Sequence, residues 1–259
     1  MIPVKSAAEL EKMRAACQVA AGALKAGGDA VRPGATTADV DKAVYDYIVA
    51  HGGVPNFKGY GGFPGSACVS VGDTVIHGIP SKTQVIREGD IVSIDTGAIV
   101  DGFHGDNAYT FACGQVSDEA KRLILTTREA LFRGIAAAQA GGRVGDISYA
   151  VQSYVEAEGF SVVRDFVGHG VGRELHEAPE VPNFGRAGRG PRLAPGMTLA
   201  IEPMIAMGDY RVAELEDGWT IVTEDGSVCS HYEHTIVVNE KGLPELLTYP
   251  GFALTEEAE

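Results

Sequence analysis

The chain has 259 residues, of which 45% are hydrophobic and 22% charged, ordinary proportions for a soluble globular chain that can bury a large core. A formal net charge of −14 argues against a nucleic-acid ligand, which would need a basic face, and no apolar run approaches the roughly 20 residues of a membrane span. Cys17, Cys68, Cys113 and Cys229 stand far apart with no C-x-x-C pair, and the first residues lack a signal-peptide core, so a reducing cytoplasm is expected.

Ser6 and Glu9 have the spacing of a capping box and open an amphipathic helix with Leu10, Met13, Cys17, Ala20 and Leu24 in one stripe. Gly27-Gly28 reads as its end. Arg32-Pro33-Gly34 makes a turn, and Thr36 or Thr37 caps a second helix. Val40, Val44, Tyr47 and Ile48 form its apolar face, and Gly52-Gly53 closes it. A glycine- and aromatic-rich loop, N-F-K-G-Y-G-G-F-P-G-S (56–66), leads to an apolar strand from Ala67 to Val71 and a further apolar segment at Val75-Ile76-His77.

The stretch from Ile91 to Phe111 reads as a β-hairpin, with Asp101-Gly102 as its turn signal. A turn centred between Val100 and Asp101 puts Asp95 and Asp106 directly opposite, with Cβ atoms about 5 Å apart. A turn centred on Asp101-Gly102 makes them diagonal neighbours on one face. Two carboxylates that close repel. Three readings stay open: a proton-sharing dyad, a cation between the two, or one aspartate in solvent.

After the hairpin the chain starts again. Ser117 opens a helix, and Gly141-Gly142 turns into another. A shift of 107 positions carries Gly34 onto Gly141, Asp39 onto Asp146, Val44 onto Val151, Tyr47 onto Tyr154 and Gly52 onto Gly159. The same ungapped shift carries Gly89 onto Gly196, Ile94 onto Ile201 and Asp95 onto Glu202. The expectation is an α+β fold of duplicated helix–helix–strand halves related by a pseudo-two-fold axis, with helices on the outer face of an antiparallel sheet. All of 1–259 is expected to form one domain, with halves of about 1–112 and 113–250 and a tail at 251–259, of which T-E-E-A-E (255–259) is expected to be disordered.

Four more segments supply polar groups. In G-H-G-V-G-R-E-L-H (168–176), His169 and His176 would lie about 10.5 Å apart along a helix, or face opposite ways on a strand. The glycines point instead to a bent loop and to different roles. Glu202 ends the apolar strand L-A-I-E-P, Glu233 begins another in H-Y-E-H-T-I-V-V, and His77 precedes a Gly–Pro turn. Singly, each is ordinary. Together they place a histidine and four carboxylates at ends of core strands, a donor set suited to two metal ions.

The chain resembles the type I methionine aminopeptidases, of the pita-bread fold shared with creatinase, prolidase and aminopeptidase P. The motifs that carry the resemblance are H-G-I-P (77–80), D-I-V-S-I-D (90–95), D-G-F-H-G-D (101–106) and G-H-G-V-G-R-E-L-H-E-A-P (168–179), followed by P-G-M-T-L-A-I-E-P-M (195–204), D-G-W-T (217–220) and Y-E-H-T-I-V-V (232–238). It implies Asp95, Asp106, His169, Glu202 and Glu233 as ligands of two divalent ions, cobalt, manganese, iron or zinc, with Asp106 and Glu233 bridging. It also implies removal of an N-terminal methionine before a small second residue, by a hydroxide between the ions. Glu202 would shuttle the proton, His176 would stabilise the tetrahedral intermediate, and His77 would contact the scissile bond. Phe57, Tyr60, Phe63, Cys68, Leu175 and Trp219, together with His77 and His176, would line the methionine site. Leu175 stands where family members commonly have Phe, and Phe57 where relatives have Cys.

The resemblance further implies nascent chains and methionyl peptides as substrates and a transient ribosome contact. Arg186, Arg189 and Arg192 are the arginines available for that contact, although a solvated loop is the simpler reading. A monomer is expected, since no long apolar helix is left unpaired. Prolidase and aminopeptidase P are the rival enzymes, set aside because their extra N-terminal domain has no room here. A non-enzymatic binding module of the same fold is set aside because all five ligand positions are filled.

Overall fold

The computed structural model describes residues 2–248, so the expected tail at 251–259 lies outside the described residues. Helix α1 (Ala7–Ala30) opens on the capping box of Ser6 and Glu9, and α2 (Thr37–Ala50) on one formed by Thr36 and Asp39. Short β1 (Val54–Pro55), then β2 (Ala67–Val71) and β3 (Thr74–Ile76), lead to the long hairpin of β4 (Ile91–Val100) and β5 (Phe103–Ala112). Helices α3 (Asp118–Ala137) and α4 (Val144–Ala157) and strands β6 (Ser161–Val162), β7 (Gly168–Gly170), β8 (Glu177–Val181) and β9 (Thr198–Ile201) follow. The rest is β10 (Met204–Ala206), β11 (Val212–Glu214), β12 (Ile221–Thr223), β13 (Cys229–His231), β14 (Glu233–Val237) and β15 (Glu245–Leu246).

One sheet of nine antiparallel strands organises the molecule. Its order is β1-β4-β5-β14-β9-β7-β8, with β2 also beside β4 and β15 beside β14. Helix α1 packs on β4 and β5, with α2 beside it, while α3 lies against β9 and β14 with α4 beside it. The expected duplication appears at the spacing read from the sequence: α4 begins and ends 107 residues after α2, and β6 stands 107 residues after β1. The isolated bridge Thr36–Val85 recurs, again 107 residues on, as Arg143–Arg192. In the sheet, β4 and β9 flank the central pair β5–β14 symmetrically, which is the expected pseudo-two-fold.

One boundary differs from the sequence expectation. Gly27-Gly28 does not end α1, which continues to Ala30. A Cβ on Gly27 would approach Val44 to 2.8 Å, and one on Gly28 would approach the Phe111 ring to 2.2 Å. The glycines are places where α1 touches α2 and the hairpin. The chain stops helically only at Val31, whose φ and ψ are extended.

Candidate metal centre and substrate pocket

Five neighbouring strands, β4-β5-β14-β9-β7, build the floor of the site. Asp95 on β4 and Glu233 on β14 are both partnered by Ala108 of β5, which lies between them. Glu202 follows Ile201, whose partner on β14 is His234, so it joins Glu233 in that row. A second row lies two residues along. It begins at Asp106 on β5, whose carbonyl accepts the Thr235 hydroxyl of β14 at 2.7 Å. Thr235 is paired with Ala200 of β9, and Ala200 with His169 of β7. Residues two apart on a strand share a face. All five side chains of the two rows line one cavity.

The register decides the hairpin geometry. Val100 pairs with Phe103, so the turn is Asp101-Gly102, both in left-handed conformation with φ of 49° and 76°. Asp106 pairs with Gly97, two residues from Asp95, and the aspartates are diagonal neighbours on one face. His169 Nε2 lies 3.4 Å from Glu202 Oε1 and 3.9 Å from Asp106 Oδ2. Its Nδ1 donates to the Gly170 carbonyl at 2.9 Å, which leaves the Nε2 lone pair facing the acids.

The eight residues expected around the substrate line the same cavity of about 210 Å³. Phe57, Phe63, Cys68 and Leu175 form a buried cluster with Ile79 and Trp219 packed against it. Cys68 is the β2 partner of Asp95, so this apolar slot borders the acidic rows directly. Trp219 meets Phe63 edge-on with ring centroids 5.1 Å apart, and the Asp217 carboxylate fixes the backbone there by accepting the Trp219 main-chain N–H at 2.9 Å. His176 and His169 have ring centroids only 4.3 Å apart, because the chain bends away from β7 after Gly170 and returns. The Tyr60 hydroxyl sits 2.8 Å from His176 Nδ1.

Two neighbours escaped the sequence reading. Phe166 stands edge-on to His77 at 5.7 Å and lines the cavity. His231 is buried, with Nε2 3.8 Å from Glu202 Oε2. A signal for His231 existed, two residues before Glu233; nothing in the pattern marked Phe166.

Residues 11–240 match the profile of metallopeptidase family M24. The chain belongs to metallopeptidase family M24. It is 52% identical over 248 residues to a methionine aminopeptidase of Clostridium acetobutylicum, an alignment covering 96% of this chain and 99% of that one. A crystal structure of the methionine aminopeptidase of Thermotoga maritima superposes with a TM-score of 0.94 at 49% identity, covering 96% and 99% of the two chains. The prolidase of Pyrococcus furiosus, at 22% identity and a TM-score of 0.77, shares the fold over 95% of this chain and 65% of its own. The architecture is the pita-bread fold.

The donor set fits the divalent cations on which an M24 metallopeptidase depends. One carboxylate oxygen on each of Asp95, Asp106, Glu202 and Glu233 is buried with no hydrogen-bond partner among the described residues. Such groups are costly unless a cation or a proton compensates them. Asp106, His169 and Glu233 offer ligand atoms within 4.8 Å of one another. Burial holds all four carboxyl pKa values above the usual range, and for Asp106, Glu202 and Glu233 repulsion from neighbouring carboxylates adds to it. Burial, and then the neighbouring His176, lowers His169 and His77 to about 4, so both imidazoles are neutral at pH 7. The acids thus favour positive charge, and the imidazoles offer lone pairs or neutral donors.

Proposed function

We propose that this M24 metallopeptidase removes the N-terminal methionine from peptides and nascent chains when the second residue is small. The observation that carries the reading is the shared border of an acidic floor and a closed apolar slot in one cavity. Asp95, Asp106, His169, Glu202 and Glu233 would hold two divalent ions, and oxygen-rich donors with one imidazole accept manganese, iron, cobalt or zinc. When bound, the ions supply Lewis acidity and lower the pKa of a coordinated water.

The chain's own groups do the rest. The slot of Phe57, Phe63, Cys68, Leu175 and Trp219 takes an unbranched, polarizable side chain. The acidic rows would hold the ions beside this slot, where the lone pair of a free α-amine can serve as a ligand, and that restricts cleavage to the first residue. Glu202, buried beside His169 and His231, accepts the proton of the attacking water on its carboxylate and passes it to the leaving amine. With Tyr60 donating to Nδ1, His176 carries its proton on Nε2 and donates it to the developing oxyanion. His77, turned by a left-handed φ of 58°, reaches toward the scissile amide.

The whole of 1–259 acts as one catalytic domain, in halves of about 1–112 and 113–250, and works as a monomer in the cytoplasm with transient contact to the ribosome. Four buried free thiols support a reducing compartment. Among the described residues no helix is long and apolar enough to cross a membrane.

The deciding assay compares Met-Ala-Ser with Ala-Pro-Ala peptide, with and without chelator. Release of methionine that stops on chelation and returns with a divalent ion is the expected result. Hydrolysis of the proline peptide alone would overturn the reading in favour of a prolidase-type enzyme.

A further inference from the structure

We propose that a buried ion pair outside the pocket, Lys5–Glu177, positions the loop that carries Leu175 and His176 into it. The inference rests on the substrate roles given above to those two residues, and it makes the segment before α1 a positioning element.

Glu177 follows His176 directly, and its two carboxylate oxygens do different work. One meets the Lys5 ammonium. The other accepts the backbone N–H groups of Arg173 at 2.8 Å and Glu174 at 3.3 Å. The two side chains are 5% and 9% exposed, so the pair is shielded from solvent and salt. Lys5 is itself fixed, since its backbone N–H donates to the Gly196 carbonyl at 2.8 Å and Ser6 then caps α1. Arg173 adds a second tie, donating to Glu9 in the first turn of α1 at 3.0 Å.

The loop has little of its own to hold it. Within 172–176 the backbone makes one internal hydrogen bond, Gly172 N–H to the Glu174 carbonyl at 3.0 Å. Its other anchors are external: Arg173 on Glu9, His104 N–H on the Gly172 carbonyl at 2.7 Å, the Glu177 carboxylate on residues 173 and 174, Tyr60 on His176, and the packing of Leu175 in the apolar cluster. The ion pair is also packed against the loop backbone. A Cβ on Gly172 would meet Lys5 Cε at 2.4 Å and Glu177 Oε1 at 2.6 Å, so the pair fills the space into which this backbone would otherwise collapse. Removing one partner strands the other charge in a buried place. The loop hangs on this same carboxylate by two backbone hydrogen bonds, so it shifts when water reaches the stranded charge.

The test uses the metal-loaded protein and two variants, Lys5→Met and Glu177→Gln, with Lys5→Arg as the conservative control. Trp219, the single tryptophan, packs against the cluster that includes Leu175 and reports on the loop without reference to any substrate. The expected result is a loss in kcat/KM on Met-Ala-Ser of roughly 10- to 100-fold, carried mainly by kcat, from a small misplacement of His176. Acrylamide quenching of Trp219 should rise, while bound metal and far-UV circular dichroism stay as in the wild type, and Lys5→Arg should restore most of the activity. Folded Lys5→Met and Glu177→Gln proteins with wild-type kcat/KM and wild-type quenching would overturn the inference. Should Lys5→Met fail to fold, Glu177→Gln decides alone, since its amide oxygen keeps both backbone hydrogen bonds. A wild type inactive on methionyl peptides, with quenching that still rises in the variants, would sink the methionine reading and leave this inference standing.

Discussion

His176 shows how much of the site's chemistry turns on single hydrogen bonds. Its Nδ1 lies 2.8 Å from the Tyr60 hydroxyl, and burial lowers its pKa, so it is a neutral ring with one proton to place. If Tyr60 donates to Nδ1, the proton sits on Nε2, where an oxyanion can use it. Tyr60→Phe frees the ring to take either tautomer and to rotate. It should lower kcat by about 10-fold, within the range of one lost oxyanion contact or less, and leave KM near the wild-type value. An unchanged kcat would show that the tautomer is set elsewhere. At this scale the sequence was informative where chemistry and spacing coincide. Asp95, Asp106, Glu202 and Glu233 stand at strand positions of matching parity, and the two rows follow from that alternation. Where position comes from a loop it gave the kind of path but not its course: the glycines marked a bend between His169 and His176, and the 4.3 Å approach of the two rings depends on contacts made elsewhere in the chain.

Among the elements, α1 and the hairpin show packing overriding local propensity. A Gly-Gly pair read alone is a helix stop, since glycine costs about 1 kcal/mol relative to alanine inside a helix. Here each glycine is where another element comes within contact distance, and that information lies in Val44 and Phe111, far along the chain. Gly28→Ala therefore separates two effects of opposite sign. Helix propensity alone predicts a gain of about 1 kcal/mol, while a Cβ 2.2 Å from the Phe111 ring predicts a loss of about 1–3 kcal/mol through overpacking. Phe111 is partly buried, but its ring packs on the core cluster and against Tyr109 with centroids 5.0 Å apart, so displacing it gives up those contacts and the loss should win. Urea denaturation of the variant gives the sign directly, and a higher midpoint would refute the packing account. The duplication was legible for the same reason the glycines misled. A repeat is a relation between distant positions, and the constant shift of 107 supplied it as far as Glu202. Beyond Pro203 the chain leaves the main sheet to build β10 to β13, and the shift no longer relates β5 to β14.

For the whole molecule, the acidic balance of −14 includes four carboxylates that the fold buries together, and their protons link stability to metal and to pH. In the chelated protein Asp95 titrates at about 8, pushed up by burial from an ordinary value of 3.8. A carboxyl whose folded pKa lies above its unfolded one stabilises fully below the unfolded value and loses that contribution as pH rises through the folded value. Buried histidines act in the opposite sense. His77, His169 and His234 fall to about 4 and His231 to about 3, all from 6.5, so they add stability as pH rises toward 6.5 and nothing further above it. The two families oppose each other in mild acid and separate above neutrality, where the histidines are silent and the thiols of Cys17, Cys68, Cys113 and Cys229, held above their usual range by burial, act in the same sense as the carboxylates. The melting temperature of chelated protein should therefore fall as pH rises from about 7 to 9. Metal-loaded protein should show a flat or rising profile over the same interval, because cations compete with protons for the same oxygens and bind better as pH rises. Asp95→Asn should flatten the chelated slope. Thermal melts at three pH values, with and without chelator, contain the whole test. A chelated protein that grows more stable above neutrality would mean that the buried acids are compensated by something other than protons and metal.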